Sequence, residues 1–410
     1  MAVGPGDWPE IFPIKGVSLG IASAGIKKIG RQDLLVIAIA EGASVSGVFT
    51  QNAFCAAPVI LSRRHLASGD IRYLLVNSGN ANACTGDKGL QDALTTCDAL
   101  AELSGVEARQ ILPFSTGVIG EFLPVEKIIA ALPVVLESVL EDVREDGWER
   151  AARTIMTTDT RPKGASVQFE YDGEILSVTG IAKGAGMIKP NMATMLAYIA
   201  TDAVVAQPLL DEMVRYAADK SFNRICIDGD TSTNDACILI ASGQAGLPML
   251  TEARGDLYQR LLDAVVSVHQ QLAQAIVRDG EGATKFVTVR VQGGENTDEC
   301  SKVAYAISQS PLVKTALYAS DPNWGRIVAA VGYAGVQGLN PNKVNVWLDD
   351  VQIVDGGCRA ASYSEAAGQV VVNKVEFEVR VDLQRGKCEE VVWTSDLSHD
   401  YVTINAEYRS

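Results

Sequence analysis

Residues 181 to 203 read IAKGAGMIKPNMATMLAYIATDA. A turn-rich half with Gly184, Gly186 and Pro190 runs into Asn191-Met192-Ala193-Thr194, and the apolar, strand-like run MLAYIA follows at once. Thr194 therefore sits at a loop-to-strand junction. The plain account of that position is a β-branched residue opening a strand. The sharper one is a nucleophile at a self-cleaving peptide bond. A hydroxyl at a tight junction attacks the carbonyl just before it, and hydrolysis of the resulting ester leaves threonine as a new N-terminus. Its α-amine, with an unperturbed pKa of about 7.7 to 8.0, then serves as base for its own hydroxyl.

Outward from this junction, strand and helix patterns alternate along the chain. VSLGIASAGI, LLVIAIA and VSGVFT, within residues 17 to 50, are apolar runs separated by the polar turns GRQD and EGAS; such runs are strands. Another strand begins at Leu74 and opens into the small-residue loop SGNANACTG. Leu90, Ala93, Leu94, Cys97, Leu100 and Ala101 share one helical face between Asp87 and Ser104. ILPFSTGVIGE, residues 111 to 121, is interrupted by Pro113, Gly117 and Gly120 and predicts strand, tight turn, strand. Helices follow at 125 to 141, disturbed by Pro133, and at 145 to 156.

Pro208 marks a further helix start. RICIDGDTSTNDACILIA predicts a strand, an acidic turn and a second strand or helix start. Its DGDTSTND is not a calcium loop, because position six is Thr233 rather than glycine and position twelve is Leu239 rather than glutamate. The longest helical pattern runs from Asp256 to Val277 and stops near Gly280. Val287, Val289 and Val291 alternate with polar neighbours as a half-buried strand, as do Val375, Phe377, Val379 and Val381, with helices near 301 to 318 and 364 to 373 between them.

The formal charge of -15 argues against a nucleic-acid partner, which needs a basic face to displace counterions. A carboxylate ligand must be held by local cations, for which Lys183, Lys189 and Arg278 are candidates. The eight cysteines form no CxxC pair and the three histidines lie far apart, so no zinc spacing is present. The opening lacks a basic residue before Lys15 and the Arg-rich composition of a transit peptide, and no apolar run reaches membrane-spanning length. A cytoplasmic protein with free thiols is expected.

The string KGAGMIKPNMATMLAYIATDA closely resembles the cleavage segment of the ornithine acetyltransferase family, the glutamate N-acetyltransferases of arginine biosynthesis. GVFTQNAFCAAPV, VNSGNANACTG, PFSTGVIGE, MTTDTRPKGAS, DGDTSTNDA, VRDGEGATKF, SDPNWGRI and the terminal YVTINAEYRS match as well, so the resemblance covers the chain.

An acyl-transfer nucleophile needs donors for the oxyanion that forms at the attacked carbonyl, and a tight glycine turn supplies them. Ser115-Thr116-Gly117 fits that need, though such a tripeptide taken alone is more often just a turn. The resemblance implies that the Thr116 hydroxyl and Gly117 amide form the oxyanion hole. It also implies cleavage between Ala193 and Thr194 and substrate contacts by Thr160, Lys183, Thr194, Glu281, Asn405 and Ser410. With site residues so near the C-terminus, an ordered tail is expected. The roles of Arg326 and of the loop 77 to 86 stay open.

The expectation is an α/β (α+β) layered sandwich of sheets covered by helices, made of an α fragment, residues 1 to 193, and a β fragment, residues 194 to 410. The expected reaction carries acetyl from N2-acetylornithine to L-glutamate through an acetyl-threonine, which divides one exchange into two similar steps. It requires no metal or organic cofactor. Whether acetyl-CoA is a second donor is left open; the resemblance implies fragments assembled as a heterotetramer or larger. The alternatives are a self-cleaving amidohydrolase or aminopeptidase, with water as acceptor, and a non-enzymatic small-molecule-binding protein in which Thr194 never cleaves.

Overall fold

Every residue of the strand Leu196–Thr201 is buried, the signature of a strand covered on both faces. The computed structural model of the chain describes residues 2–4, 6–27, 29–140, 146–189 and 195–407. Leu196, Tyr198 and Ala200 enter one apolar cluster with Leu35, Ile37, Leu74, Val76 and Phe114. Ala197 and Ile199 enter another with Leu210, Val214, Val265 and Leu272. The two-residue side-chain period of an extended chain thus feeds two cores from one strand.

This strand is the middle of a five-stranded sheet ordered Ser44–Phe49, Ala236–Ala241, Leu196–Thr201, Glu174–Lys183, Lys163–Tyr171. It runs parallel to Ala236–Ala241 and antiparallel to Glu174–Lys183. A four-stranded sheet ordered Val17–Ala22, Leu34–Ile39, Tyr73–Asn80, Ile111–Val118 packs on one face. Its outer face is covered by the helices Gly86–Ser104 and Val125–Leu140, through Leu34, Val36, Cys97, Leu100, Ile128 and Leu132. Gln207–Asp219 and Asp256–Arg278 cover the other face of the five-stranded sheet. The layers are helix, sheet, sheet, helix.

A seven-stranded sheet forms a C-terminal unit, with Phe286–Gly294 between the parallel Glu376–Asp382 and the antiparallel Cys388–Ser395. Val287, Val289 and Val291 and their partners Val379 and Val381 pack against the helices Thr297–Ser308 and Trp324–Tyr333. Among the described residues, no helix is long and apolar enough to cross a membrane.

Two local expectations are corrected. The segment 111 to 121 is one strand, Ile111–Val118, rather than two around a turn. Among the described residues it is an edge strand, paired only through Tyr73–Asn80, and an edge tolerates the missing N–H of Pro113. The helix expected over 301 to 318 is two, Thr297–Ser308 and Pro311–Tyr318, because Ser310 caps the second by accepting from the Val313 amide at 3.3 Å and Pro311 opens it. Pro133 does not end the helix Val125–Leu140.

His269, fully buried on the helix Asp256–Arg278, is held by a 2.7 Å contact between Nδ1 and the Val265 carbonyl, with Cys237 Sγ 3.6 Å from Nε2. Burial pushes its imidazole from 6.5 down to about 4. Between those values the unfolded chain binds a proton that the folded one refuses, so stability falls as pH falls through that window. Thermal melting from pH 6.5 to 4 should decline more steeply for the wild type than for His269→Leu; parallel curves would remove His269 as the cause.

Candidate active site

The strand Glu174–Lys183 ends at Lys183, whose side chain reaches Thr116 near the end of the edge strand Ile111–Val118. Lys183 Nζ donates to Thr116 Oγ1 at 3.1 Å, with both side chains buried. Because the ammonium occupies the oxygen, the Thr116 proton is left to point elsewhere. A hydroxyl polarised in this way is the stronger donor. Thr116, Gly117 and Lys183 line a cavity of about 110 Å³ together with Glu281 and Asn405.

Gly117 is required by its backbone. Its φ is +137°, and a Cβ there would lie 2.3 Å from the Gly79 carbonyl carbon and 2.6 Å from the Asn80 nitrogen. That close approach comes from the parallel pairing of Tyr73–Asn80 with Ile111–Val118, in which Gly79 and Gly117 face each other. The loop 77 to 86 acts as scaffold. Asn77 Nδ2 donates to the Asn80 carbonyl at 2.9 Å, Asn77 Oδ1 accepts from Ser115 Oγ at 2.6 Å, and Asn80 Nδ2 reaches the Phe122 carbonyl at 3.1 Å.

On the opposite wall, Glu281 accepts from Asn405 Nδ2 at 2.7 Å. Asn405 belongs to the terminal helix His399–Glu407, so the tail is ordered as expected through Glu407. Tyr401 of that helix reaches Asp228 at 3.3 Å, and Asp228 in turn accepts from the Ile188 amide at 2.9 Å. Ser398 Oγ donates to the Gly282 carbonyl at 2.7 Å. The tail is therefore stapled both to the DGDTSTND turn and to the glycines around Glu281.

Behind the cavity lies a buried ionic cluster. Lys163 Nζ donates to Asp159 Oδ1 and to Asp279 Oδ2, each at 2.6 Å, with all three side chains inaccessible. Asp159 also accepts from the Gly184 amide at 2.6 Å and the Thr157 amide at 2.9 Å. Burial would push the Asp159 carboxyl up, but the charges of Lys163 and Lys183 and the hydrogen bonds from Lys163 and Thr157 outweigh it and hold it well below the usual carboxylate range. Burial pulls the Lys183 ammonium below the usual lysine range, opposed by Asp159, Asp235 and Glu281 and reinforced by Lys163.

The structure thus brings together Thr116, Gly117, Lys183, Glu281 and Asn405 from the expected set. Thr160 is placed differently. Its hydroxyl donates to Asp279 and its amide to Asp279 Oδ2 at 3.0 Å, and the cavity is lined by Thr157 and Thr158 instead. Ala193, Thr194 and Ser410 lie outside the described residues. Of the other candidates, Arg278 pairs with Glu376 at 2.7 Å, and Arg326 binds the Leu312 carbonyl at 2.7 Å, a structural role. Sequence reading missed Ser232 and Asn234 in the lining. Their signal was the DGDTSTND turn, which spacing could only test against calcium.

The described chain resumes at Met195, next in sequence to Thr194. Its amide donates to Asp235 Oδ1 at 3.0 Å and its carbonyl accepts from the Ala236 amide at 3.0 Å. A donor pair beside a cation, across from a carboxylate and an amide, is equipped to hold an amino-acid substrate and stabilise an acyl oxyanion.

The model of the ArgJ family matches residues 18–410. Proteins named "Arginine biosynthesis bifunctional protein ArgJ" from Pseudomonas syringae pv. tomato and Pseudomonas fluorescens are 60% and 59% identical to this chain, each over 100% of both chains. A crystal structure of arginine biosynthesis bifunctional protein ArgJ from Bacillus halodurans is 36% identical, covering 52% of this chain and 98% of its own, with a TM-score of 0.49.

Lys163→Met would leave Asp159 and Asp279 buried without their cation. Breaking a buried pair by removing one partner costs about 3–5 kcal/mol, and urea unfolding at neutral pH should show a loss of that order. A change under about 1 kcal/mol, the worth of an exposed pair, would show that the cluster does not hold the site together.

Proposed function

This chain belongs to the ArgJ family, the acetyltransferases of arginine biosynthesis, and from that premise we propose a reaction scheme for its own residues. The observation that carries it is the junction of Thr116, Gly117 and Lys183 with Glu281 and Asn405 around one cavity. The chain moves acetyl from N2-acetylornithine to L-glutamate. After cleavage between Ala193 and Thr194, the freed α-amine of Thr194 takes the proton of its own hydroxyl. The oxygen attacks the acetyl carbonyl, and the oxyanion accepts from Thr116 and Gly117. The C–N bond then breaks, and ornithine leaves with the proton on its amine. In the second half the α-amine of glutamate attacks the acetyl-threonine, the ester C–O bond breaks, and the threonine hydroxyl is restored.

Lys183 suits the carboxylate that donor and acceptor share, supplying the local cation that a chain of charge -15 needs around an anion, while Asn405 holds Glu281 across the cavity. An acceptor of that chemistry is what separates this scheme from hydrolysis by water. The scheme extends to acetyl-CoA as a second acetyl donor, to a cytoplasmic location, and to paired fragments assembled as a heterotetramer or larger. The five-stranded sheet, with two strands from after residue 193 set between strands from before it, supports fragments that stay together once formed.

Mass spectrometry of denatured protein should find fragments 1 to 193 and 194 to 410. Acetylornithine supplied without glutamate should add about 42 Da, the acetyl of a covalent intermediate, to Thr194. An intact chain in active protein, or an adduct on Lys183, defeats the scheme.

Thr116→Ala removes one oxyanion donor, which typically costs about 100- to 1,000-fold in turnover. Steady-state acetyl transfer from acetylornithine and from acetyl-CoA, measured side by side, reads both that loss and the donor range. Unchanged turnover takes Thr116 out of the site.

A further inference from the structure

Asn234 and Asp235, consecutive residues at the entry of the strand Ala236–Ala241, reach in different directions. Asn234 Nδ2 donates to the Ser115 carbonyl at 2.9 Å and to the Ala81 carbonyl at 2.6 Å, so it grips the residue preceding Thr116 and the loop that backs Gly117. Its Oδ1 accepts from Thr233 Oγ1 at 2.6 Å, and its amide donates to Ser232 Oγ at 3.1 Å. Asp235 Oδ1 accepts from the Met195 amide at 3.0 Å. The Ala236 amide then bonds the Met195 carbonyl at 3.0 Å, the first rung of the parallel pairing with Leu196–Thr201. All of these side chains are buried.

One rigid dipeptide therefore measures the span between the oxyanion turn and the chain next to Thr194. We propose that Asn234 and Asp235 are positioning residues for acetyl transfer, a clamp that sets the distance from Thr116 and Gly117 to the nucleophile's neighbour Met195. The inference rests on the reaction proposed above. Asn234 also lines the cavity and Asp235 does not, and the role proposed for each is exerted through the backbone it holds. Such a clamp suits the chemistry, because a misplacement of about 1 Å at a distance from the reacting centre can cost about a hundredfold in rate.

The clamp needs Asp235 as an acceptor and not as a charge. Burial pushes its carboxyl well above the usual range, against the Met195 amide, Lys183 and the hydroxyls of Ser232 and Thr50, and its Oδ2 has no hydrogen-bond partner among the described residues. An asparagine keeps the oxygen that the Met195 amide requires and places its NH2 at the Oδ2 position, which has no hydrogen-bond partner among the described residues. A serine at either position is too short to reach.

The test is steady-state exchange between acetylornithine and glutamate, with turnover divided by the folded fraction from near-ultraviolet circular dichroism. Asn234→Ser and Asp235→Ser should lose at least about 30-fold in kcat with KM within about threefold, since the span is disturbed while the substrate contacts remain. Asp235→Asn should retain kcat within about threefold and the pH profile of the wild type. A loss above about tenfold in Asp235→Asn, or wild-type kcat in either folded serine variant, overturns the clamp. The near-isosteric Asp235→Asn decides by itself if the serine variants fail to fold. A wild type that exchanges no acetyl overturns the proposed reaction and the clamp with it, whereas an active wild type with active serine variants overturns the clamp alone.

Discussion

Lys163 holds two carboxylates out of reach of solvent, and the site depends on that arrangement. Its 2.6 Å bonds to Asp159 and Asp279 join the start of one strand, the loop before it and the end of the helix Asp256–Arg278. Removing ions from water is expensive, so such a cluster is justified only when each remaining lone pair finds a donor. Here the Gly184 and Thr157 amides satisfy Asp159, and the Thr160 amide and hydroxyl satisfy Asp279. The same bonds set Lys183 and the Thr157–Thr158 wall, one residue removed from the amides that Asp159 holds. Two residues beyond Asp279, Glu281 is fixed through its amide to the Ala185 carbonyl at 2.8 Å. The electrostatic cost of the cluster is thereby spent on geometry.

A second constraint is the interleaving of the chain about residue 193. In the five-stranded sheet, Ala236–Ala241 and Leu196–Thr201 follow that point, and Ser44–Phe49, Glu174–Lys183 and Lys163–Tyr171 precede it. A break there would divide the strands of one hydrogen-bonded sheet, and the residues of two apolar cores, between the two pieces. Residues 1 to 193 and 194 to 410 accordingly do not correspond to the folding units. The units are the layered sandwich and the C-terminal sheet with its helices. The cavity draws on both sides of residue 193: Thr116, Gly117 and Lys183 from before, Glu281 and Asn405 from after.

Much of this was legible in the residues themselves, because the signals involved are local. Alternation over 287 to 291, the 3.6-residue face of 256 to 277, and the glycine in PFSTG each depend on neighbours within a turn or two. The joint between Glu174–Lys183 and Leu196–Thr201 was marked by its own punctuation of Gly184, Gly186 and Pro190. Such signals determined the strands, most helices, the candidate junction at Thr194 and the candidate oxyanion turn.

Tertiary structure alone decided the partners. Nothing near Lys163 in the sequence announces Asp279, 116 positions on. Nothing in DGDTSTND says that Asn234 will hold the Ser115 carbonyl, 119 positions back. Thr157, Thr158 and Thr160 are chemically interchangeable in the string MTTDT, and only the bonds from Thr160 to Asp279 turn it away from the cavity that the other two line. Pro113 reads as a breaker until its strand is known to be an edge. The physical reason is common to these cases. Periodicity and turn chemistry are properties of a short stretch, whereas the cost of burying a polar group is settled by whichever distant residue the fold brings within hydrogen-bond reach.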